Sequence, residues 1–274
     1  MSRFASCTLG ERRFAALVDG DAVRPLDSIA ELGRETPAEV LADPPLTDER
    51  IPLAEVTLRP VVPSPGKVVC VGLNYRAHVE EGVYDVPDYP ALFSKFGETL
   101  VGAGAAVLLP PESEAVDYEA ELAFVVGRET RRATGDAALG AVGGYTVAND
   151  VSMRDYQYKT HQWLPGKNWA SSTPLGPFLV TPDEVGDPHS LDISLELNGQ
   201  RMQDANTSLF IFDIPTLVAT ISEFIPLVPG DVVLTGTPSG VGYRRDPKVL
   251  LREGDRMVVE IERVGRLENP VAAE

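Results

Sequence analysis

DYEAELAFVVG, residues 117–127, joins two acidic side chains to an apolar run of β-forming residues. In a strand, residues i and i+2 share a face, so Glu119 and Glu121 project side by side while Ala120 and Leu122 point the other way. Neighbouring carboxylates repel each other, and a shared proton or a bound cation relieves the repulsion. A solvated strand edge is the ordinary alternative for such a pair. Because the rest of the stretch is strongly apolar, we predict a core strand that carries two functional carboxylates.

A third carboxylate, that of Asp150, ends the apolar stretch GGYTVAND. Carboxylate oxygens that converge from two strands suit Mg²⁺ or Mn²⁺, which prefer oxygen ligands and keep positions open for water and substrate. Zinc is disfavoured, because the chain has only three histidines and two cysteines and no paired metal-binding spacing. Glu119, Glu121 and Asp150 are therefore predicted as candidate ligands of a divalent cation.

Short β-forming segments with turn residues between them make up most of the chain after Lys67. Asn198-Gly199 is a strong signal for a two-residue hairpin. The one clear helix is FDIPTLVATISEFI, in which Asp213 is placed to cap the first turn. These patterns predict an α+β fold that is mainly β with few helices, without the regular strand–helix alternation of a doubly wound sheet.

Residues 1–61 are predicted to form a small N-terminal α+β domain, and residues 62–274 a larger catalytic one. Asp19-Gly20-Asp21 lies between two β-type stretches and indicates a hairpin. Apolar residues over 26–41 follow a broadly helical spacing. The proline-rich stretch 59–67 is the natural linker between the two parts.

The chain of 274 residues carries a formal charge of −17 and has a pI near 4.6. Such an acidic protein is not expected to bind nucleic acid or an anionic membrane, since both require a basic surface. Cys7 and Cys70 are too few for a disulfide framework, and the sequence contains no apolar run of membrane-helix length. A cytoplasmic location is expected. An anionic substrate would require cationic groups inside its site.

Five motifs occur in one order along the chain: GLNYRAHVEEG, DYEAELAFVVG, GYTVANDVSMRDYQ, GKNWASSTPLGPFLVT and PGDVVLTGTPSGVG. In sequence and spacing they resemble the fumarylacetoacetate hydrolase family, from Lys67 to the C-terminal GRLENPV. The resemblance implies the family's mixed β-sandwich roll, a homodimer, and a divalent metal on the three carboxylates predicted above.

His78 and Glu81 are three residues apart in RAHVEEG, so on a helical turn they face the same way and the carboxylate can orient the imidazole. Glu80 lies on a different face. A surface histidine among acidic neighbours is the alternative explanation. The resemblance implies that the pair lies on a segment that orders over the substrate and activates a water molecule.

Lys167 is the candidate for the cation that an anionic substrate would require in its site. A lysine beside the metal stabilises a developing enolate or oxyanion. By resemblance, Arg154 and Gln157 orient the substrate, Thr237 binds its carboxylate in the glycine-flanked TGTP turn, and Tyr75 is a further substrate-binding residue. The structural alternatives are a solvated loop cation for Lys167, helix-surface polarity for Arg154 and Gln157, and a plain turn for Thr237.

The expected reaction is hydrolysis of a 2,4-dioxo acid, an acylpyruvate such as fumarylpyruvate, to pyruvate and a carboxylic acid, as in aromatic catabolism. His78 would deprotonate the attacking water, Glu81 would stabilise the imidazolium, and Lys167 would steady the departing pyruvate enolate. The loop KNWA departs from the Lys-Ser-Phe-Asp of many relatives, which weakens any substrate assignment based on that loop.

Two further enzymatic outcomes use the same site: decarboxylation of oxaloacetate and isomerisation of a 2-hydroxydienoate. They share an enolate with hydrolysis, and the intact His78–Glu81 pair favours hydrolysis because only hydrolysis needs an activated water. A non-catalytic protein that binds a metal or ligand is the alternative from another class.

Overall fold

The computed structural model describes residues 2–82 and 85–274. Within these ranges the chain is mainly β, as predicted. The strands are β1 (Arg3–Leu9), β2 (Arg12–Asp19), β3 (Ala22–Pro25), β4 (Ile51–Pro52), β5 (Thr57–Leu58), β6 (Val68–Gly72), β7 (Ala91–Lys95), β8 (Leu100–Val101), β9 (Val107–Leu109), β10 (Val116–Asp117), β11 (Ala120–Val126), β12 (Val142–Asn149), β13 (Ser152–Met153), β14 (Thr173–Val180), β15 (Asp192–Leu197), β16 (Gln200–Asn206), β17 (Val232–Leu234), β18 (Arg256–Ile261) and β19 (Gly265–Ala273).

The α-helices in the described ranges are few and short. They are α1 (Ala38–Ala42), α2 (Arg76–Glu81), α3 (Gly135–Leu139), α4 (Arg154–Gln157), α5 (Leu164–Lys167), α6 (Pro182–Val185) and α7 (Ile214–Phe224). The stretch RAHVEEGV, predicted as a short helix or lid, forms α2 up to Glu81, and its last residue lies outside the described residues. None of these helices has the length and apolar character needed to cross a membrane.

A large mixed sheet runs in the order β4-β3-β2-β1-β14-β12-β11-β17-β6-β7, with β5 beside β1 and β8 beside β14. A second sheet has the order β16-β15-β18-β19-β9, and β10 pairs with β13. Most neighbouring strands are antiparallel, while β17 with β6, β14 with β8 and β19 with β9 are parallel. The main hydrophobic core lies between the two sheets and α7.

Side-chain alternation along β11 follows the predicted pattern. Leu122 and Phe124 enter the core shared with the second sheet and α7. Ala123 and Val125 enter a separate core on the opposite face of the large sheet. Because Glu121 has the same parity as Ala123 and Val125, its side chain belongs to that opposite face.

The predicted turns and the predicted long helix are confirmed. Asp19 pairs with Ala22 across the β2–β3 hairpin. Asn198 and Gly199 have φ values of 54° and 80°, the left-handed backbone that a two-residue hairpin requires. In α7 the Asp213 carboxylate accepts a hydrogen bond of 2.8 Å from the backbone N–H of Thr216, which caps the helix.

The helical spacing over residues 26–41 was misleading, because the structure contains only the five-residue α1 at its end. Leu26 and Leu32 are buried without forming a helix, and the N–H of Leu32 donates to the Ser6 hydroxyl at 2.9 Å. Pro37 immediately precedes α1 and prevents a continuous helix from passing through this point. The apolar spacing therefore reports burial and not a helix.

The N-terminal strands extend the large sheet. β1 pairs with β14 through Arg3 opposite Val180 and Phe4 opposite Leu179. Phe4 belongs to the same buried cluster as residues of β11, β14 and β17. The division into residues 1–61 and 62–274 stays a prediction, since these contacts describe packing and not independent folding.

Candidate active site

Three buried carboxylates meet at one end of the β11–β12 pair. Glu119 immediately precedes β11 and Asp150 immediately follows β12, and the antiparallel register of Ala120 with Asn149 brings them opposite each other. The N–H of Asp150 donates to the backbone carbonyl of Glu119 at 2.9 Å. One oxygen from each of Glu119, Glu121 and Asp150 lies within 4.8 Å of the other two. The sequence prediction correctly grouped these residues.

The surroundings of Glu121 and Glu119 shift the pKa values of the two carboxyl groups in opposite directions. Burial raises the pKa of Glu121 well above its ordinary value, and the charges of Asp150 and Glu119 raise it further. For Glu119 burial also raises the pKa, but the charges of Lys167 and Arg154 outweigh burial and lower it to about 2. Among the described residues, no lysine or arginine forms an ion pair with Glu121. A divalent cation between the three groups would supply the missing charge, so the donor set fits Mg²⁺ or Mn²⁺.

Two buried lysines contact these carboxylates. Lys167, the last residue of α5, donates from Nζ to Glu119 Oε2 and Asp150 Oδ2 at 2.7 Å each. Lys95, at the end of β7, donates from Nζ to the other oxygen of Asp150 at 2.6 Å. Burial lowers the pKa of Lys167, but the charges of Asp150 and Glu119 outweigh burial and raise it above the ordinary value. Lys167 is therefore a fixed ammonium in the site, not a solvated loop cation.

Arg154 links a further buried carboxylate to the site. Its Nε donates to Asp117 Oδ2 at 2.9 Å, and its Nη1 lies 2.6 Å from Glu119 Oε1. Nη1 also donates to Gln157 Oε1 at 2.9 Å, one turn along α4. Burial lowers the pKa of Arg154, but the charges of Glu119 and Asp117 outweigh burial and raise it. Because the Gln157 oxygen is engaged, its NH₂ group is the part available to a ligand.

His78 and Glu81 form the predicted pair on α2. His78 Nδ1 lies 3.2 Å from Glu81 Oε2, and Glu81 Oε1 accepts a hydrogen bond of 3.0 Å from the N–H of Gly240. With the proton on Nδ1 facing the carboxylate, Nε2 is left unprotonated and can accept a proton. Glu80, on the other face of the helix, is exposed.

A narrow cavity of about 30 Å³ brings most of the predicted site residues together. Its polar lining consists largely of His78, Glu119, Glu121, Arg154, Gln157, Lys167 and Thr237. Its apolar wall includes Val71, Phe93, Trp163 and Val241. The cavity therefore brings a histidine, several cations and a carboxylate pair to one small polar space.

Tyr75 does not line this cavity. It is 1% exposed and its ring meets Phe210 edge-on, with ring centres 5.0 Å apart. Its hydroxyl has no hydrogen-bond partner within the described chain. A substrate contact by Tyr75 stays a prediction.

Three residues that hold the site together were absent from the sequence prediction: Lys95, Asp117 and Gln203. Asp117 Oδ1 accepts from the N–H of Gly242 at 2.8 Å, so it ties Arg154 to the loop at the cavity mouth. Gln203, on β16, donates to the hydroxyl of Thr237 at 2.9 Å. Asp117 lies two residues before Glu119, and strand alternation alone was a signal for placing it on the same face.

The β-rich fold surrounds three buried carboxylates whose oxygens suit a divalent cation, beside a histidine–glutamate pair of the kind that general acid–base enzymes use. A family model described as fumarylacetoacetate (FAA) hydrolase C-terminal matches residues 67–272. The chain belongs to the fumarylacetoacetate hydrolase family.

Similar proteins carry names from more than one reaction type. A rat protein named oxaloacetate tautomerase Fahd2a, mitochondrial, is 46% identical over 222 residues, which cover 81% of this chain and 71% of the rat protein. A Dictyostelium discoideum protein named fumarylacetoacetate hydrolase domain-containing protein 2 homolog is 41% identical over 237 residues, covering 82% of this chain and 77% of its own length.

Solved structures confirm the expected fold. A 5-carboxymethyl-2-hydroxymuconate delta-isomerase from Mycobacterium smegmatis has a TM-score of 0.85 at 33% identity, covering 99% of this chain and 100% of its own. A 2-hydroxyhepta-2,4-diene-1,7-dioate isomerase from Mycobacterium marinum has a TM-score of 0.85 at 32% identity, covering 100% and 99%. The mixed β-sandwich roll implied by the motifs is thus the fold of this chain.

Proposed function

We propose that the protein is a divalent-metal-dependent tautomerase of a small 2-oxo dicarboxylate, with oxaloacetate as its substrate. The observation that carries the proposal is the His78–Glu81 pair, whose histidine faces the same cavity as Glu119 and Glu121. The similarity to proteins named oxaloacetate tautomerase supports this substrate. The structural neighbours named isomerases support a reaction that moves a proton and breaks no carbon–carbon bond.

Keto–enol exchange of oxaloacetate moves one proton between C3 and the oxygen on C2. His78 Nε2 takes the C3 proton, and Glu81 stabilises the imidazolium that forms. The imidazolium then gives this proton to the C2 oxygen, which completes the enol; in ketonisation His78 takes the enol O–H proton and delivers it to C3, so one proton moves and none is gained or lost. A divalent cation on Glu119, Glu121 and Asp150 would polarise the 2-oxo group. Lys167 and Arg154 supply positive charge beside the developing enolate oxygen and the substrate carboxylates.

The test follows enol-form oxaloacetate as it decays after release from an aprotic solvent into buffer. Loss of enol absorbance reports ketonisation, and a lactate dehydrogenase assay reports any pyruvate. We expect the protein with Mg²⁺ or Mn²⁺ to speed enol loss without forming pyruvate. His78→Ala should lower the rate by about 10²-fold, the usual contribution of a positioned base. His161→Ala, which changes an exposed histidine outside the cavity lining, is the matched control.

Hydrolysis of an acylpyruvate is the second candidate, because a histidine backed by a carboxylate can also activate water. The same assays separate the two. Pyruvate release from an acylpyruvate panel, with enol decay at the buffer rate, would replace the tautomerase proposal by the hydrolase. Pyruvate from oxaloacetate would instead indicate decarboxylation.

Homodimer formation and a role in aromatic catabolism are proposals that rest on the sequence resemblance, and a cytoplasmic location is one that rests on the few cysteines and the lack of a long apolar run in the sequence. Light scattering after gel filtration measures the mass directly, and a value near twice the 29.5 kDa of the chain supports the dimer. A monomer mass would contradict it.

A further inference from the structure

Gln203 is a buried side chain from the second sheet that reaches the site. It lies on β16, is 1% exposed, and forms three hydrogen bonds. Its Oε1 accepts from the N–H of Ala120 at 2.9 Å, and its Nε2 donates to Thr237 Oγ1 at 2.9 Å and to the carbonyl of Pro238 at 2.8 Å. A backbone N–H can only donate and a carbonyl can only accept, so these partners fix which end of the amide is nitrogen.

This amide orientation determines what Thr237 offers to a ligand. The hydroxyl already accepts a hydrogen from Gln203, so its own hydrogen must point to another acceptor. Within residues 2–82 and 85–274, no hydrogen bond donated by the Thr237 hydroxyl is found. Thr237 lines the cavity that contains His78 and Glu121. The cavity wall therefore presents a hydrogen-bond donor at this point.

The Gln203 side chain also fixes the position of the Thr237 hydroxyl. Ala120 lies between Glu119 and Glu121, and Gln203 joins its N–H to the turn that contains Thr237. The neighbouring N–H of Gly236 donates to Glu121 Oε2 at 2.7 Å. The turn and the carboxylate strand are thus held at a fixed separation, and a ligand that spans them has a defined length.

We infer that Gln203 is a positioning residue that makes the Thr237 hydroxyl a hydrogen-bond donor. The site thereby selects a substrate whose end facing Thr237 is an anionic carboxylate. This inference rests on the proposed function and deepens it. A hydrogen-donating group at that end would meet the hydroxyl hydrogen unfavourably, and a neutral acceptor would gain only a weaker hydrogen bond. A carboxylate oxygen gains a hydrogen bond to a charged acceptor, which is stronger than a neutral one.

The test is a double-mutant cycle of Gln203→Met and Thr237→Val, with Mn²⁺ present and with KM and kcat measured separately. In the wild-type background, Gln203→Met frees the hydroxyl to turn, and we expect KM for oxaloacetate to rise about tenfold while kcat changes little. In the Thr237→Val background no hydroxyl remains to be oriented, so the same change should add almost nothing.

Equal effects of Gln203→Met in both backgrounds would mean that Gln203 only supports β11, and would overturn the inference. Gln203→Glu provides a second variant, because its carboxylate would accept from Thr237 and turn the donor away from the cavity. It should raise KM more than Gln203→Met does; if it does not fold, the methionine variant carries the test. Gln200→Met, at an exposed glutamine on the same strand, is the control and should behave as wild type.

Malonate binding, measured by calorimetry with Mn²⁺ on the wild type, Gln203→Met, Thr237→Val and the double variant, separates this inference from the proposed function. Coupling between positions 203 and 237 in malonate affinity, with no acceleration of oxaloacetate tautomerisation, would sustain the inference and refute the function. Tautomerase activity with strictly additive effects on both KM and malonate affinity would sustain the function and refute the inference.

Discussion

Lys167 is the residue on which the charge balance of the site depends. Four buried carboxylates, those of Asp117, Glu119, Glu121 and Asp150, face three buried cations, those of Lys95, Arg154 and Lys167. The surplus is one negative charge, which attracts a metal ion and opposes an anionic substrate. A divalent ion bound to these carboxylates would turn that surplus into a net positive charge, which favours an anionic substrate.

Replacing Lys167 with methionine should make the metal-free protein less stable by about 3–5 kcal/mol, because Glu119 and Asp150 would lose a buried partner. Mn²⁺ replaces the lost charge and no longer competes with an ammonium. The rise in melting temperature on adding Mn²⁺ should therefore be larger for Lys167→Met than for wild type, measured by calorimetric scanning. Lys159→Met, at an exposed lysine, is the control. Equal rises in wild type and Lys167→Met would contradict this electrostatic account.

Single residues were predictable where a local pattern carried the information. Alternation placed Glu119 and Glu121 on one face, and the polar end of an apolar strand indicated Asp150. Lys95 shows the limit, because a lysine at the end of a short strand ordinarily reaches solvent. Its burial depends on β7 lying beside β6 and on Asp150 facing it from the end of β12. Only the tertiary arrangement contains that information.

At the scale of elements, α2 is a short helix that is stabilised by its contacts with the rest of the site. It has no side-chain cap at its N-terminus, and six residues are too few for an isolated helix to be stable. Val79 anchors its buried face, and the bond from the N–H of Gly240 to Glu81 ties its last turn to the loop after β17. Glu81 thus both orients His78 and fixes the helix that carries it.

Glu81→Gln should separate catalysis from folding. The amide oxygen can still accept from Gly240, but an amide NH₂ facing His78 favours the imidazole tautomer whose basic nitrogen points away from the cavity. We expect kcat for enol decay to fall by at least about tenfold, with a melting temperature close to that of wild type. Glu80→Gln, one residue away on the exposed face, should leave both values unchanged. A similar loss of activity in both variants would refute the role of the pair.

The elements themselves were predictable to different degrees. The α7 helix has its cap and its apolar face within one stretch, so the sequence alone identified it. Over residues 26–41 the apolar spacing was equally helical, but Leu32 is buried by contacts with β1. The apolar spacing indicates which residues are buried. Here, contacts with strands that are distant in the sequence determine that the backbone is not helical.

At the scale of the whole molecule, the N-terminal strands and the catalytic sheet share one core. Phe4 is fully buried beside Leu179 of β14, in the cluster that also contains Ala123 and Val125 of β11. The strand β11, which carries Glu121, is therefore packed against the N-terminal part. The sequence predicted a linker at 59–67, but it contained no signal for the pairing of β1 with β14.

Phe4→Ala should cost about 3–5 kcal/mol of unfolding free energy, as for other buried aromatic residues. Because the two parts share a core, denaturant unfolding should remain a single transition that moves to lower denaturant concentration. Phe224→Ala, at a phenylalanine that is 58% exposed, should change the midpoint little. Two separate transitions in the Phe4→Ala protein would instead support residues 1–61 as an independent domain.

The net charge of −17 acts locally as well as globally, because the carboxylates of Glu119, Glu121 and Asp150 lie within 4.8 Å of one another. Titration calorimetry of Mn²⁺ into the wild-type protein and Glu121→Gln tests whether they form a metal site. The amide keeps the size of the side chain and removes one like charge, so the metal-free variant should be at least as stable as wild type. We predict one Mn²⁺ site in wild type and an affinity weaker by at least about tenfold in Glu121→Gln. Equal affinities in the two proteins, or no binding to wild type, would contradict the account.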